Sequence, residues 1–295
     1  MNIGKQYEKD DKFKAEARLF QSKYRATVLG VDFQDYGNRL KDSDAQELLN
    51  YYEKLNCRNS LRSRYPSYSR KRDADMLRSE HIPFNLISPL DTDRELAISI
   101  ISNAFGIEIV RIETIEIEYA PSPKEKYLND GTAFDTYIQG KLLNGKICGL
   151  GIEVKYTEQA YQIGKTEKTN VQDKSSLYWQ RARNSGCFKN PDDDIFGSDP
   201  LRQIWRNHLL GLSMIEQGDV DVFYSITLFP DGNHHFHTFI PKYQSLLADS
   251  VQSYVIGCTF EKYISAIGGS SDFEEWREWL ERRYVIEKQM YMTIE

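Results

Sequence analysis

The chain has few cysteines, and none of them is spaced for a metal site. Among 295 residues there are four, Cys57, Cys148, Cys187 and Cys258, and no two of them form a C-x-x-C pair. A zinc ribbon or a disulfide framework is therefore not expected. Reduced, buried thiols in a cytosolic protein fit this pattern better.

Long apolar runs are also missing. No run approaches the roughly 18 apolar residues that a membrane helix needs. The N-terminal segment MNIGKQYEKDDKFKAEARLF is too charged for a secretory signal. We therefore expect a soluble, cytoplasmic protein with no membrane partner.

Several catalytic signatures are absent as well. The sequence contains no G-x-x-x-x-G-K-[ST] loop, so ATP-driven action by this chain is not indicated. It also contains no G-x-S-x-G elbow and no Cys-His signature of a hydrolase with a protein nucleophile. We find no internal repeat and no low-complexity segment.

What is present is material for a folded core and one basic stretch. The composition is 40% hydrophobic and 13% aromatic, which excludes disorder, and the net charge of −6 is mild. Between Lys54 and Arg78, basic residues outnumber acidic ones and alternate with Tyr65 and Tyr68. This stretch predicts a surface that contacts nucleic-acid phosphates, although a solvated loop or helix face would look the same. The candidate contacts are Arg62, Arg64, Arg70, Lys71 and Arg72.

Residues 1–80 are predicted to form a helical, basic N-terminal extension packed on a core domain of residues 81–295. Apolar spacing predicts a helix over 12–24, and a capping box at Ser43 predicts a second over 45–55. Two prolines suggest that residues 81–90 form an extended connector.

The core domain alternates helices and strands. We predict a helix capped by Asp91 or Thr92 and ended by Gly106, and a bulge near residues 110–113 of the strand that follows it. The predicted strands are 107–119, 132–143, 146–156, 220–229 and 234–240. Residues 157–172 are expected to be a loop, and the other predicted helices are 176–184, 199–215, 243–250, 260–266 and 272–287. This order predicts an α/β fold with a central mixed sheet flanked by helices.

Two carboxylates and an amine are predicted to meet in this sheet. An Asn-Gly turn at 144–145 folds strand 132–143 against strand 146–156 as a hairpin. Glu153 and Lys155 share one strand face, and Asp135 lies on the neighbouring strand. Asp135 and Glu153, with the Val154 carbonyl oxygen, could bind Mg²⁺, and Lys155 could act on the attacking water.

Taken alone, E-x-K on a strand is a weak signal. A solvated strand face or a cross-strand ion pair is the alternative. His234, His235 and His237 could form a metal cluster, but a hairpin turn that contains histidines explains them better.

Residues 91 to about 240 resemble the PD-(D/E)XK nuclease superfamily, which has the restriction-endonuclease-like αβββαβ core. Asp135 and Glu153-Val154-Lys155 match its motif, although Phe134 stands where the family has proline. The segments RSEHIPFN at 78–85 and QIWRNH at 203–208 resemble a poorly characterised bacterial subfamily. In this reading the N-terminal 80 residues and the C-terminal helices are helical additions outside the match.

The resemblance implies a Mg²⁺-dependent DNA endonuclease in which Mn²⁺ can replace Mg²⁺. It implies metal binding by Asp135 and Glu153, a water-positioning role for Lys155, and an assisting acid at Glu95 or, alternatively, Asp93. Gln203, Arg206 and Asn207 could face the site and touch phosphate or metal-bound water; a core helix with polar surface residues is the alternative. A non-catalytic nucleic-acid-binding or assembly module on the same fold, and an α/β protein of other function, remain open, as does a homodimer.

Overall fold

The structure is a computed structural model that describes residues 2–159 and 162–286. Its α-helices are α1 Lys12–Tyr24, α2 Asp42–Gln46, α3 Cys57–Arg64, α4 Ile82–Leu86, α5 Arg94–Phe105, α6 Lys165–Gln172, α7 Leu177–Ser185, α8 Asp199–Gln217, α9 His234–Ser245, α10 Phe260–Ser265 and α11 Ser271–Tyr284. Its strands are β1 Phe33–Gln34, β2 Tyr36–Leu40, β3 Ile109–Tyr119, β4 Phe134–Leu142, β5 Ile147–Val154, β6 Val222–Phe229 and β7 Val255–Thr259.

A five-stranded mixed sheet organises the described part of the chain. Its order is β3-β4-β5-β6-β7, in which β3, β4 and β5 are antiparallel neighbours and β5, β6 and β7 are parallel neighbours. The succession α5-β3-β4-β5-α8-β6 is the predicted αβββαβ order. The predicted α/β fold with a mixed sheet between helices is therefore confirmed, and β7 is a strand that was not predicted.

Strand β5 pairs with a neighbouring strand along each edge, and each of its two faces packs against a different layer of the fold. Ile152 pairs with Thr136 of β4 and with Ile226 of β6, so the register is set from both sides. Ile152 and Val154 pack in the main core cluster, which also contains Ile100 and Ile101 of α5. Because side chains alternate along a strand, Glu153 turns to the opposite face, where α8 packs on β5 and β6.

Two glycines allow α8 to approach this second face closely. A Cβ atom added to Gly151 of β5 would lie 2.5 Å from Cζ of Phe223, and one added to Gly211 of α8 would lie 2.0 Å from Cδ1 of the same ring. The Phe223 ring therefore fills the space between helix and sheet, and any side chain at either glycine would push the two apart.

The N-terminal residues share the core of the sheet. Ala17, Cys57 and Leu77 lie in the same buried cluster as Ile152. The side-chain amide of Gln21 donates to the Tyr156 hydroxyl at 2.6 Å and to the Arg283 carbonyl at 2.9 Å. These contacts accord with packing of residues 1–80 on the core, while the domain boundary at residue 80 stays a prediction.

Helix α1 and the bulge in β3 are confirmed, but the prediction for residues 45–55 is wrong. The register of β3 on β4 shifts twice between Ile109 and Thr114, close to the predicted bulge. Helix α2 ends at Gln46, and Leu48 and Leu55 have φ values of 60° and 51°. A left-handed backbone at those residues cannot continue an α-helix.

Three further segments differ from prediction. Residues 81–90 are helical, not extended, because Pro83 and Pro89 lie in the first turns of short helices, where the missing N–H costs nothing. Residues 165–172 form α6 instead of a loop. Residues 234–240 belong to helix α9, not to a strand, and α9 buries Phe236, Ile240 and Tyr243.

No helix among the described residues combines the length and the apolar content that crossing a bilayer requires.

Candidate active site

Asp135 and Glu153 face each other on neighbouring strands. Thr136 pairs with Ile152, so extending this antiparallel register by one residue puts Asp135 opposite Glu153. One oxygen of Asp135, Oδ2, accepts the Val154 backbone N–H at 2.7 Å. The hairpin predicted from the Asn-Gly turn is confirmed, and it brings the two carboxylates together.

Lys155 lies beside this pair at the end of β5. Its Nζ atom is 2.5 Å from Oε1 of Glu153, and its side chain is only 3% exposed. Its backbone N–H donates to the Leu228 carbonyl of β6 at 2.8 Å, which continues the β5–β6 pairing past the strand end. The predicted convergence of Asp135, Glu153 and Lys155 is therefore observed, while their catalytic role stays a prediction.

Helix α8 covers the site from the second face of the sheet. The Asn207 side-chain amide donates to Oε2 of Glu153 at 2.7 Å. Gln203, one turn earlier, lines the same cavity as Glu153 and Lys155. Thr227 of β6 completes this wall, because it pairs with Glu153 in the parallel register.

Burial and the neighbouring carboxylate set the charge state of Asp135. Burial and the negative charge of Glu153 raise the pKa of Asp135 well above its ordinary value. Lys155 and the Val154 N–H act in the opposite direction without offsetting this rise. The site therefore disfavours the charged form of Asp135 beside Glu153.

Glu118 is a third acid near this pair, and it was not predicted from the sequence. Ile117 pairs with Thr136, so extending this register puts Glu118 opposite Asp135. Burial, then Glu153 and Glu80, raise the pKa of Glu118, while Arg64 opposes the rise. The residue lies outside the motif, and only the pairing of β3 with β4 shows that it is close.

The donor set of the pair fits a divalent cation. Two largely buried carboxylates with hard oxygen atoms repel each other, and an ion such as Mg²⁺ between them would relieve that repulsion. Among residues 2–159 and 162–286, no three His, Cys, Asp or Glu side chains form a ready-made metal cluster. The protein donors would then be Asp135 and Glu153, and the Val154 carbonyl oxygen stays a predicted third.

We expect Asp135→Asn to stabilise the metal-free protein. The amide keeps an oxygen that can accept the Val154 N–H but removes the charge that burial and Glu153 disfavour. The free energy of unfolding at pH 7 is therefore expected to rise, because the folded state disfavours the charge that the substitution removes. Urea unfolding in EDTA measures it. Mn²⁺ should raise the Tm of the wild type but not that of the variant, and an equal shift in both would contradict the assignment.

The predicted assisting acid Glu95 is wrongly placed. It is exposed in the first turn of α5, and α5 packs against the face of the sheet that carries Ile152, not the face that carries Glu153. The alternative, Asp93, caps α5 by accepting the Leu96 N–H at 2.9 Å. An acid at a helix N-terminus is stabilised by the helix dipole, which explains both positions without catalysis.

Most of the basic stretch is paired within the protein. Arg72 is buried, binds Asp73 at 2.7 Å and stacks on the Tyr65 ring, so it is not available to nucleic acid and its prediction is corrected. Two exposed residues, Arg70 and Lys71, each lie 3.2 Å from an acidic partner, Asp35 and Glu80 respectively.

Arg62 and Arg64 remain at the surface, and Arg64 contacts the strand that carries Glu118. Both are exposed in the last turn of α3. The Arg64 Nη2 atom donates to the Glu118 carbonyl at 2.7 Å, which holds this turn beside β3.

Arg206 of α8 lies within electrostatic range of Glu153. Its guanidinium binds Glu167 of α6 at 3.2 Å. Burial lowers the pKa of Arg206. Its neighbours raise that pKa by more, and the largest contribution comes from Glu167, followed by Tyr178, Glu153 and Asp130. The guanidinium therefore stays firmly charged next to Glu153.

The three histidines of α9 do not lie in a hairpin turn. His234 and His237 are exposed, and Nε2 of His237 lies 3.0 Å from Oδ1 of Asp231.

Comparison with known proteins agrees with this architecture. The sequence model of the PD-(D/E)XK nuclease superfamily matches residues 8–286, which is nearly the whole chain and includes most of the N-terminal extension. No curated protein and no solved structure shows significant similarity to the chain. From this match, the αβββαβ order and the convergence of Asp135, Glu153 and Lys155, we conclude that the chain belongs to the PD-(D/E)XK nuclease superfamily.

Proposed function

We propose that the protein is an endonuclease that hydrolyses phosphodiester bonds of DNA with Mg²⁺, or Mn²⁺ in its place. The observation that carries the proposal is the register of β4 on β5, which sets Asp135 opposite Glu153 with Lys155 beside them. In a member of a nuclease superfamily, two largely buried acids and a buried ammonium group at one point favour metal-assisted hydrolysis over a surface role.

The residues have distinct tasks in this proposal. Asp135 and Glu153 would hold Mg²⁺, which when bound activates a water and neutralises charge on the phosphate. The Lys155 ammonium group, 2.5 Å from Glu153, is placed to stabilise negative charge that develops on the attacked phosphate or on the water. No protein nucleophile is required.

Nucleic acid would be held from two sides of the site. On one side, Arg62 and Arg64 at the end of α3 offer exposed guanidinium groups to the backbone. On the other side, Gln203 and Arg206 of α8 flank Glu153. Arg70 and Lys71 are exposed as well and could exchange their acidic partners for phosphate, since exposed ion pairs contribute little. Contacts of this kind give affinity without sequence preference.

Incubation with plasmid, linear duplex and single-stranded DNA in Mg²⁺, Mn²⁺ or EDTA tests the proposal. We expect the wild type to nick or linearise closed plasmid in either metal and to leave it intact in EDTA. Loss of linear DNA only would indicate an exonuclease. DNA binding without cleavage in any metal would instead support the non-catalytic nucleic-acid-binding module. Sedimentation of the DNA complex would show whether a homodimer forms.

A further inference from the structure

The carboxylate of Glu153 is held at both of its oxygen atoms by residues from different elements. Lys155, at the end of β5, binds Oε1 at 2.5 Å, and Asn207, on α8, binds Oε2 at 2.7 Å. Rotation about the last side-chain bond of a glutamate has a broad, shallow energy profile. A single partner at Oε1 would leave much of that rotation free, and the second partner removes it.

Asn207 is itself rigidly placed. It is 6% exposed and lies on α8, which buries Trp205 and Leu209 fully in a hydrophobic cluster that also contains Phe223 of β6. The close approach of Gly211 to Phe223 fixes the distance of this helix from the sheet. The position of the Asn207 amide is therefore set by the packing of α8 and not by Glu153.

Chemistry decides which end of the amide faces Glu153. An ionised carboxylate only accepts hydrogen bonds, so the amide nitrogen must point to it and the amide oxygen must point away. That oxygen has no hydrogen-bond partner among the described residues. A buried amide with an unused acceptor is costly as a purely structural element, and its one side-chain hydrogen bond to a described residue goes to the motif glutamate.

We propose that Asn207 is a positioning residue that fixes the rotation of the Glu153 carboxylate in the orientation that cation binding with Asp135 requires. The inference rests on the proposed function, because it concerns the same carboxylate pair. Asn207 acts through Glu153 and does not itself contact the reacting phosphate.

Replacement of Asn207 by leucine tests this role, because leucine has nearly the same shape and cannot donate a hydrogen bond. We expect the Kd for Mn²⁺, measured by calorimetry, to rise by about 10-fold to 100-fold, as for other residues that orient metal ligands. Affinity for duplex DNA in EDTA should stay at the wild-type value, whereas general loss of structure would lower both affinities.

Asn207→Ala provides a second variant of smaller size in case the leucine is not accommodated, and circular dichroism confirms folding at the temperature of measurement. Ser213→Ala is the matched control, because Ser213 is buried on the same helix and donates only to the Leu209 carbonyl. The control should bind Mn²⁺ like the wild type.

Wild-type Mn²⁺ affinity in a folded Asn207 variant would overturn the inference and leave the proposed function standing. Failure of the wild type to bind Mn²⁺ would overturn both.

Discussion

Glu153→Gln is expected to lower the rate of metal-dependent DNA cleavage by about 10³-fold or more. Glutamine keeps the size of the side chain and can still accept from Lys155 or Asn207, but it removes one of the two charges available to the cation. Lys155→Met should have an effect of similar size, because it removes the ammonium group beside the pair. Rates of plasmid nicking at saturating Mn²⁺ measure both effects.

DNA binding should survive in the same variants. Glu153 and Lys155 are largely buried, so the exposed basic groups around the site would still reach the backbone. Binding measured in EDTA separates loss of chemistry from loss of substrate. Glu116→Gln, an exposed position on β3, is the matched control for charge and should cleave normally. Cleavage at the wild-type rate by either Glu153→Gln or Lys155→Met would remove the hydrolytic assignment.

The folded state is expected to lose stability steeply as the pH falls from 7 to 5. His81 and His208 are buried, and burial lowers the pKa of His81 well below its ordinary value and that of His208 to about 4. Near pH 6 these histidines bind protons in the unfolded chain but not in the folded protein. Their contribution to the free energy of unfolding is therefore complete above the pKa of the unfolded histidine and is lost as the pH falls below that pKa. Each histidine contributes a loss of roughly 2 kcal/mol between pH 7 and pH 5.

His81→Phe should remove one of these two contributions. The replacement keeps an aromatic ring between Tyr51 and Tyr284 and removes two ring nitrogens that have no hydrogen-bond partner among the described residues. Urea unfolding at pH 7, 6 and 5 should show a pH slope that is smaller than that of the wild type by about 1.4 kcal/mol per pH unit at the acidic end. Parallel curves for the two proteins would show that His81 does not titrate between the folded and unfolded states.

The centre of the site could be predicted from the sequence because signals from residues close together in the chain determine it. The Asn-Gly turn sets the pairing of β4 with β5, and the period of two along a strand then decides that Asp135, Glu153 and Lys155 share one face. The start of α8 was predictable for the same reason, since Asp199-Pro200 is a local helix signal.

Residues that reach the site from other elements could not be predicted in this way. Glu118 comes close only through the pairing of β3 with β4, which crosses a bulge, and its own φ of 59° interrupts the strand pattern. Glu95 fits the family's position on a first helix, but helix packing decides which sheet face it approaches. In the sequence Arg72 is one basic residue among several, and only the fold shows that its side chain is buried beside Asp73.

The errors in secondary structure have similar causes. Residues 234–240 alternate like a strand, yet the spacing of Phe236, Ile240 and Tyr243 is helical and prevails once α8 and β7 supply a surface for it to pack on. Strand β7 was missed because it is short and contains Gly257. In both cases tertiary packing overrides the local pattern.

Strand β5 has a neighbour on each side, and this arrangement limits how the gene can change. Insertion or deletion of one residue between Lys146 and Glu153 would turn the downstream side chains of β5 to the opposite face of the sheet. Ile152 or Val154 would then point at α8, and the Glu153 carboxylate would lie in the apolar layer. Length variation in this part of the chain is therefore confined to the exposed turn that precedes the strand.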